Sequence, residues 1–245
     1  MTDRPVRHYT RRDALRLTTQ ATGLAFLART AAFGASEKSD GELGSVVGQP
    51  VAAKIGLQVL KEGGNAIDAA ITAAFAACIC SPHNCGIGGY GGHAMIGLAG
   101  GKKITAIDFN STAPAAAKAE MFPLNEKGLV RNSINTTGWL AAGVPGTIAG
   151  LELTLQRYGT RSLRDVLAPA IQLGEEGTYV TLVKGIDDVA PNDSGLDEPN
   201  NQKLPREKQR HLRLIALLKT LAAQNSTEAF YRGDIATIIA AAFQR

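Results

Sequence analysis

Gly86, Gly88, Gly89, Gly91 and Gly92 crowd one short loop inside the stretch Ser81 to Pro114, and such crowding suits a backbone that must turn tightly or pass close to something. What flanks the loop constrains the fold further. The alanine-rich run before it, Ala66 to about Cys78, is apolar almost throughout, broken mainly by Asp68 and Thr72, and predicts a central helix covered on most sides. After it, His93 to Leu98 and Lys103 to Phe109 alternate as strands about a turn at Ala99-Gly100-Gly101. A hairpin results, and it ends in the small polar cluster Asp108-Phe109-Asn110-Ser111-Thr112-Ala113-Pro114. Helix, glycine loop and hairpin together form a candidate site wall that the rest of the chain supports.

Upstream, Pro50 to Lys61 reads as a helix with proline in its first turn and Val51, Ile55, Val59 and Leu60 at helical spacing. Gly63-Gly64 ends it and Asn65 caps the next, so the two helices form a hairpin of their own. Downstream, Ala115 to Glu120 is helix-like, and Gly138 to Val144 reads as a strand that breaks at Pro145-Gly146 into a helix, Ile148 to Tyr158. Ser162 with Asp165 predicts a capping box for a helix through Leu173. Tyr179 to Pro205 is a polar surface excursion. Helical pattern resumes over Arg206 to Leu221 and Thr227 to Phe243, with Gly233-Asp234 as a break and cap. The last apolar helix, still running at Arg245, looks like a truncation.

At 245 residues and 44% hydrophobic, the chain can bury a real core. Its net charge of +4 suggests an anionic partner until its distribution is considered. Residues 1–35 hold Arg4, Arg7, Arg11, Arg12, Arg16 and Arg29 against Asp3 and Asp13, so the remainder balances at zero. A neutral body lacks the electrostatic footprint of a nucleic-acid binder. The basic start has its own reading: Thr10-Arg11-Arg12-Asp13-Ala14-Leu15, a modest apolar run to Leu27 and small residues near Gly34 and Ala35 suit a twin-arginine export signal. An amphipathic helix on the mature protein is the alternative. The organisation expected is a signal peptide over 1–35, a linker over 36–44 and one folded region from 45, in a bacterial protein that is periplasmic or secreted and has no membrane span.

Several constellations invite chemistry. Gly86-Ile87-Gly88-Gly89-Tyr90-Gly91 matches the dinucleotide fingerprint literally, but that motif needs a strand before and a helix after, and here the order is reversed. Cys78, Cys80, His83 and Cys85 are metal-ligand types without a common structural zinc spacing, so buried thiols are the simpler reading and no metal or other cofactor is expected. A Cys80–Cys85 disulfide is open in an oxidising compartment. His93 with Asp108 has the types of a general base and its partner, although a structural histidine opening a strand fits equally. Thr136-Thr137 has the type of an N-terminal threonine nucleophile but sits within the chain.

Taken in order, Gly63-Gly64-Asn65-Ala66-Ile67-Asp68-Ala69-Ala70, Pro82-His83, Gly86-Ile87-Gly88-Gly89, Ala106-Ile107-Asp108-Phe109 with Thr112-Ala113-Pro114, Gly143-Val144-Pro145-Gly146, Arg157-Tyr158-Gly159-Thr160, Leu167-Ala168-Pro169-Ala170-Ile171 and Ala229-Phe230-Tyr231-Arg232-Gly233 resemble the large subunit of the gamma-glutamyltransferase family from about Gly44 to Arg245. The resemblance implies an α+β fold, part of the four-layer αββα sandwich of the N-terminal-nucleophile (Ntn) hydrolases, mostly helical here with a central hairpin. It also implies a self-cutting precursor whose new N-terminal threonine attacks a γ-glutamyl amide. That threonine belongs to the small-subunit half, which this chain lacks and which becomes its expected partner, so no catalytic residue is expected here. Asn110, Ser111 and Thr112 fall at the acyl-binding segment. In gamma-glutamyltransferases an arginine clamps the donor's α-carboxylate where this chain has Asn110, and a carboxamide cannot copy that bidentate charged grip. A non-glutamyl donor, as in cephalosporin acylases, therefore stands beside a small γ-glutamyl substrate, and an inactive remnant or binding protein is the reading from another class.

Overall fold

The computed structural model describes residues 35–38, 44–82, 84–98, 100–177 and 206–243. The basic leader, the polar excursion over 179–205 and His83 lie outside the described residues. Within them, β1 (Ala35–Lys38) pairs antiparallel with β2 (Ser45–Gly48), and the chain then enters α1 (Pro50–Lys61) and α2 (Ala66–Cys80). Pro50 occupies the first turn of α1 while the Gln49 side chain accepts the Ala52 N–H at 2.8 Å, and Gly63 at φ +84° ends the helix. The two helices approach backbone to backbone: a Cβ on Gly56 would come within 2.9 Å of the Ala69 carbonyl. Burial of Ala52, Leu57, Val59 and Leu60 on one side of α1 faces it toward α2 and β2.

The nearly all-apolar α2 is the central element, as its composition requires. Phe75, Ala76 and Ile79 are fully buried, and α3 (Thr147–Tyr158) and α4 (Leu163–Glu175) pack on it through Ile148, Leu151, Val166, Leu167 and Ala170. The long α5 (Arg206–Gln224) covers α4 through Leu218 and Leu221, followed by the single turn α6 (Glu228–Tyr231) and α7 (Asp234–Ala242). His211 on α5 is buried and its Nε2 donates to the Gly174 carbonyl at 2.9 Å, which joins α5 to the end of α4. Ser162 and Asp165 form the expected capping box at α4. Asn65 and Asp68 form a second one at α2.

The hairpin is β3 (His93–Leu98) with β4 (Lys103–Asp108), paired His93 to Asp108 through Leu98 to Lys103. Ile96 and Ile107 share its buried face, while Met95, Ile104, His93 and Asp108 occupy the other, the alternation that a period of two demands. Two expected elements are absent as such. Gly138 to Val144 is not a strand: Gly138 takes φ +84°, Trp139–Ala141 forms one 3-10 turn, and only Val144 pairs, with Thr112. Ala115 to Glu120 is a turn closed by Ala117 on the Pro114 carbonyl, then a 3-10 turn at Ala119–Met121, because six residues ahead of Pro123 cannot repay helix nucleation. Among the described residues no helix is long and apolar enough to cross a membrane.

Candidate functional site

The hairpin delivers Phe109 to Thr112 at its mouth, and hydrogen bonds on both flanks fix that segment. On one flank the Phe109 N–H donates to Gly92 O at 2.9 Å and the Ser111 N–H to Tyr90 O at 2.6 Å, so the ladder continues past the last strand residue into the glycine loop. On the other, Thr112 and Val144 exchange backbone bonds of 3.2 and 2.8 Å. Asp108 closes an Asx turn by accepting the Asn110 N–H at 3.0 Å. Asn110, Ser111 and Thr112 thus sit together on one clamped strand-like segment, with Asn110 and Thr112 exposed and Ser111 half-buried.

Glycine is what lets the clamp close. Gly91 takes φ +90°, and a Cβ there would overlap the Phe109 carbonyl. From the opposite side, a Cβ on Gly146 would strike the same carbonyl, one on Gly150 would enter the Phe109 ring, and one on Gly143 would lie 3.1 Å from Ser111 Cβ. The start of α3 therefore packs directly on the segment. Sequence reasoning did not assign this role to Gly146 and Gly150, although two glycines one helical turn apart, just after Pro145, are a legible sign of close approach.

The start of α3 is itself anchored from α6. Tyr231 Oη donates to the Pro145 carbonyl at 2.8 Å and accepts the Ala149 N–H at 3.1 Å, satisfying one of the amides that a helix start leaves open. Burial raises the Tyr231 phenol above its usual value, which keeps it a neutral donor and acceptor. One residue before α6, the Thr227 hydroxyl and backbone N–H both donate to the Glu152 carboxylate. Gly146 is held against Phe109 by this corner.

Asn110 is engaged rather than idle. Its Nδ2 donates to His93 Nε2 at 3.0 Å, and the same His93 nitrogen lies 3.5 Å from Asp108 Oδ1, both side chains well exposed. His93, Asp108 and Asn110 form a polar trio at the hairpin mouth. With one of its two Nδ2 protons donated to His93, Asn110 keeps one N–H and an acceptor oxygen, and it carries no charge to pair with a carboxylate. Thr136 and Thr137 stay apart from this cluster; both hydroxyls donate to the Ser133 carbonyl in a surface turn.

The three cysteines are free thiols, so the Cys80–Cys85 pairing is not present. Burial pushes the Cys78 thiol up to about 12 and Cys80 up to about 11, with the nearby Cys85 adding to both. Among the described residues no cluster of three or more metal-ligating side chains converges. Cys78 and Cys85 instead line a groove of 1080 Å³ that runs along the glycine loop past His93, Phe109, Thr147 and Leu151 to Arg210 on α5.

Comparison with known proteins gives one consistent answer. The Gamma-glutamyltranspeptidase family matches over residues 52–245. The glutathione hydrolase proenzyme of Pseudomonas sp. strain A14 is 36% identical over 209 residues, covering 81% of this chain and 36% of that protein. The acylase ACY 1 proenzyme of Pseudomonas sp. strain V22 is 39% identical over 227 residues, covering 84% of this chain and 39% of its own. Among solved structures, the gamma-glutamyltranspeptidase of Helicobacter pylori superposes with a TM-score of 0.65 at 33% identity, over 82% of this chain and 60% of that one. The cephalosporin acylase of Bacillus halodurans superposes at 0.57 and 26% identity, over 80% and 38%. The chain thus spans little more than a third of the length of the curated relatives it matches. These likenesses agree with the α+β class and the Ntn-hydrolase architecture read from the sequence.

Proposed function

The chain belongs to the gamma-glutamyltranspeptidase family, and on that premise we propose that it supplies the acyl-recognition side of an exported enzyme that cleaves or transfers an acyl group from a small amide. The attacking group is an N-terminal threonine on a small-subunit half outside this chain, and that half is the partner. The observation that carries this reading is the clamped segment Phe109 to Thr112, held between Gly91 and Gly146 so that Asn110 stands forward at the hairpin mouth. A segment fixed on both flanks can orient a substrate before chemistry begins.

The donor is a γ-glutamyl or related acyl group, and the acylase side of that range has a specific observation in its favour. Asn110 is a neutral carboxamide with one of its two N–H groups donated to His93, so nothing at this position grips an α-carboxylate with the charged bidentate fork of an arginine. Both glutathione hydrolases and acylases are among the relatives. The test is release of p-nitroaniline from γ-glutamyl-p-nitroanilide and from acyl anilides lacking the α-carboxylate, by this chain assembled with its small-subunit half. No release from any donor would reduce the chain to a binding protein or remnant. Export is tested separately, by whether residues 1–35 carry a folded reporter across the membrane in a twin-arginine-dependent way.

A further inference from the structure

We infer that His93 is a positioning residue for Asn110: its neutral ring fixes the way the carboxamide faces, and its protonation turns the carboxamide over. This deepens the acyl-recognition reading above and rests on it. The hairpin register carries the inference. His93 and Asp108 are ladder partners at the open end of β3 and β4. Beyond them the Phe109 N–H on Gly92 O and the Ser111 N–H on Tyr90 O continue the pairing, so the backbone itself holds Asn110 beside His93. There Asn110 Nδ2 meets His93 Nε2 at 3.0 Å, while Asp108 Oδ1, which accepts the Asn110 N–H at 3.0 Å, stands 3.5 Å from the same ring nitrogen.

An amide nitrogen only donates, so the shorter contact requires Nε2 to be the bare, accepting nitrogen and places the neutral ring's proton on Nδ1. In that state Asn110 turns its other N–H and its Oδ1 outward. A proton taken from solvent onto Nε2 leaves the ring with two donors and no acceptor. Asn110 then keeps its bond to the ring only by rotating so that Oδ1 faces Nε2–H, which turns both Nδ2 hydrogens outward, and the Asp108 carboxylate beside them stabilises the cation. Acid thus changes the segment from a mixed donor and acceptor into a pair of donors next to a positive charge, the pattern that suits an oxyanion. Asp108 is the charged group that faces His93 from β4. Arg210 on α5 and Tyr90 in the glycine loop line the same groove as His93, as do the Cys78 and Cys85 thiols, which burial raises and so keeps neutral.

The test is heteronuclear NMR on the full, nitrogen-labelled chain, titrated from about pH 8 to about pH 5, the span in which an imidazole changes charge. At the alkaline end the His93 ring is expected to show a protonated Nδ1 and a bare Nε2. On acidification the Asn110 Nδ2 signals are expected to shift with the same midpoint as the His93 ring, and in His93→Phe that shift is expected to be lost. Asn110→Ala should release the neutral ring from its single tautomer. The His93 side chain is 60% exposed, so its replacement leaves the fold intact, and an unchanged backbone amide spectrum checks it. A neutral ring carrying its proton on Nε2, Asn110 signals that ignore the His93 titration, or the same shift persisting in His93→Phe overturns the proposal. No turnover is measured, so a catalytically silent chain leaves this result standing, and failure here leaves the acyl-transfer reading to its own assay.

Discussion

Replacing Asp68 should unfold this protein's central joint. Asp68 is fully buried near the start of α2, and its two oxygens gather four donors from two distant pieces of chain. Oδ2 accepts the Asn65 N–H at 2.8 Å and the Thr160 hydroxyl at 2.6 Å; Oδ1 accepts the Thr160 N–H at 2.8 Å and the Arg161 N–H at 3.0 Å. The Asn65 side chain adds a bond from Nδ2 to Tyr158 O at 2.7 Å, and Arg161 Nη1 reaches Glu62 Oε2 at 3.1 Å, so the corner between α3 and α4 is sewn to the α1–α2 hairpin. Asp68→Ala orphans three backbone N–H groups, each worth about 1–3 kcal/mol when unsatisfied, and partial relaxation sets the expected loss at roughly 3–5 kcal/mol. Asp68→Asn keeps one oxygen but turns an N–H toward the Asn65 N–H, with a loss of roughly 1–3 kcal/mol.

The pH dependence follows with a defined sign. Burial alone would raise the Asp68 carboxyl, but the hydrogen bonds from Thr160, Asn65 and Arg161 outweigh it and hold it below the usual carboxylate value. A depressed folded-state value means the stabilisation is complete above the unfolded-state pKa of about 4 and is lost as pH falls through the lower folded-state value. Urea unfolding followed by circular dichroism at pH 7, 5 and 3.5 measures both effects. Wild type should lose stability on acidification with an Asp68 component that Asp68→Asn lacks. An Asp68→Ala variant within 0.5 kcal/mol of wild type at pH 7 would refute the reasoning.

Gly150→Ala drives a methyl into the Phe109 ring and should cost about 1–3 kcal/mol while displacing Asn110, seen as a lowered thermal midpoint together with a raised KM in the assembled enzyme. Tyr231→Phe removes the hydroxyl shared by Pro145 and Ala149 and should cost roughly 1–2 kcal/mol by urea unfolding, with an unchanged result arguing against the α6 anchor. Mass spectrometry after mild iodoacetamide treatment at pH 8 should find Cys85 modified first and Cys78 and Cys80 untouched until denaturation, because burial holds their thiols near 12 and 11.

The sequence exposed the elements whose signals are local. Pro50, Asn65 and Ser162 with Asp165 marked helix starts, Gly63 and Gly159 marked ends, and the alternation through Ile96 and Ile107 marked the hairpin. It hid what depends on distant pairing. Asp68 reads in sequence as an interruption of an apolar helix, and only the return of Thr160 and Arg161 some 92 and 93 residues later makes it the joint of the fold. Gly138 to Val144 has strand-like residues, yet Gly138 at positive φ leaves only Val144 in register with Thr112. In the candidate site, Asn110, Ser111 and Thr112 were located by motif, whereas their fixation by Gly146, Gly150 and Tyr231 needs contacts formed across the chain.

Donor preference in the assembled enzyme tests the central claim most directly. The kcat/KM for γ-glutamyl-p-nitroanilide should not exceed that for γ-aminobutyryl-p-nitroanilide, which lacks the α-carboxylate, in wild type, and Asn110→Arg should raise the γ-glutamyl value by about 10-fold or more as a guanidinium regains the α-carboxylate. A wild type that favours the γ-glutamyl donor, with Asn110→Arg making no difference, would contradict the account.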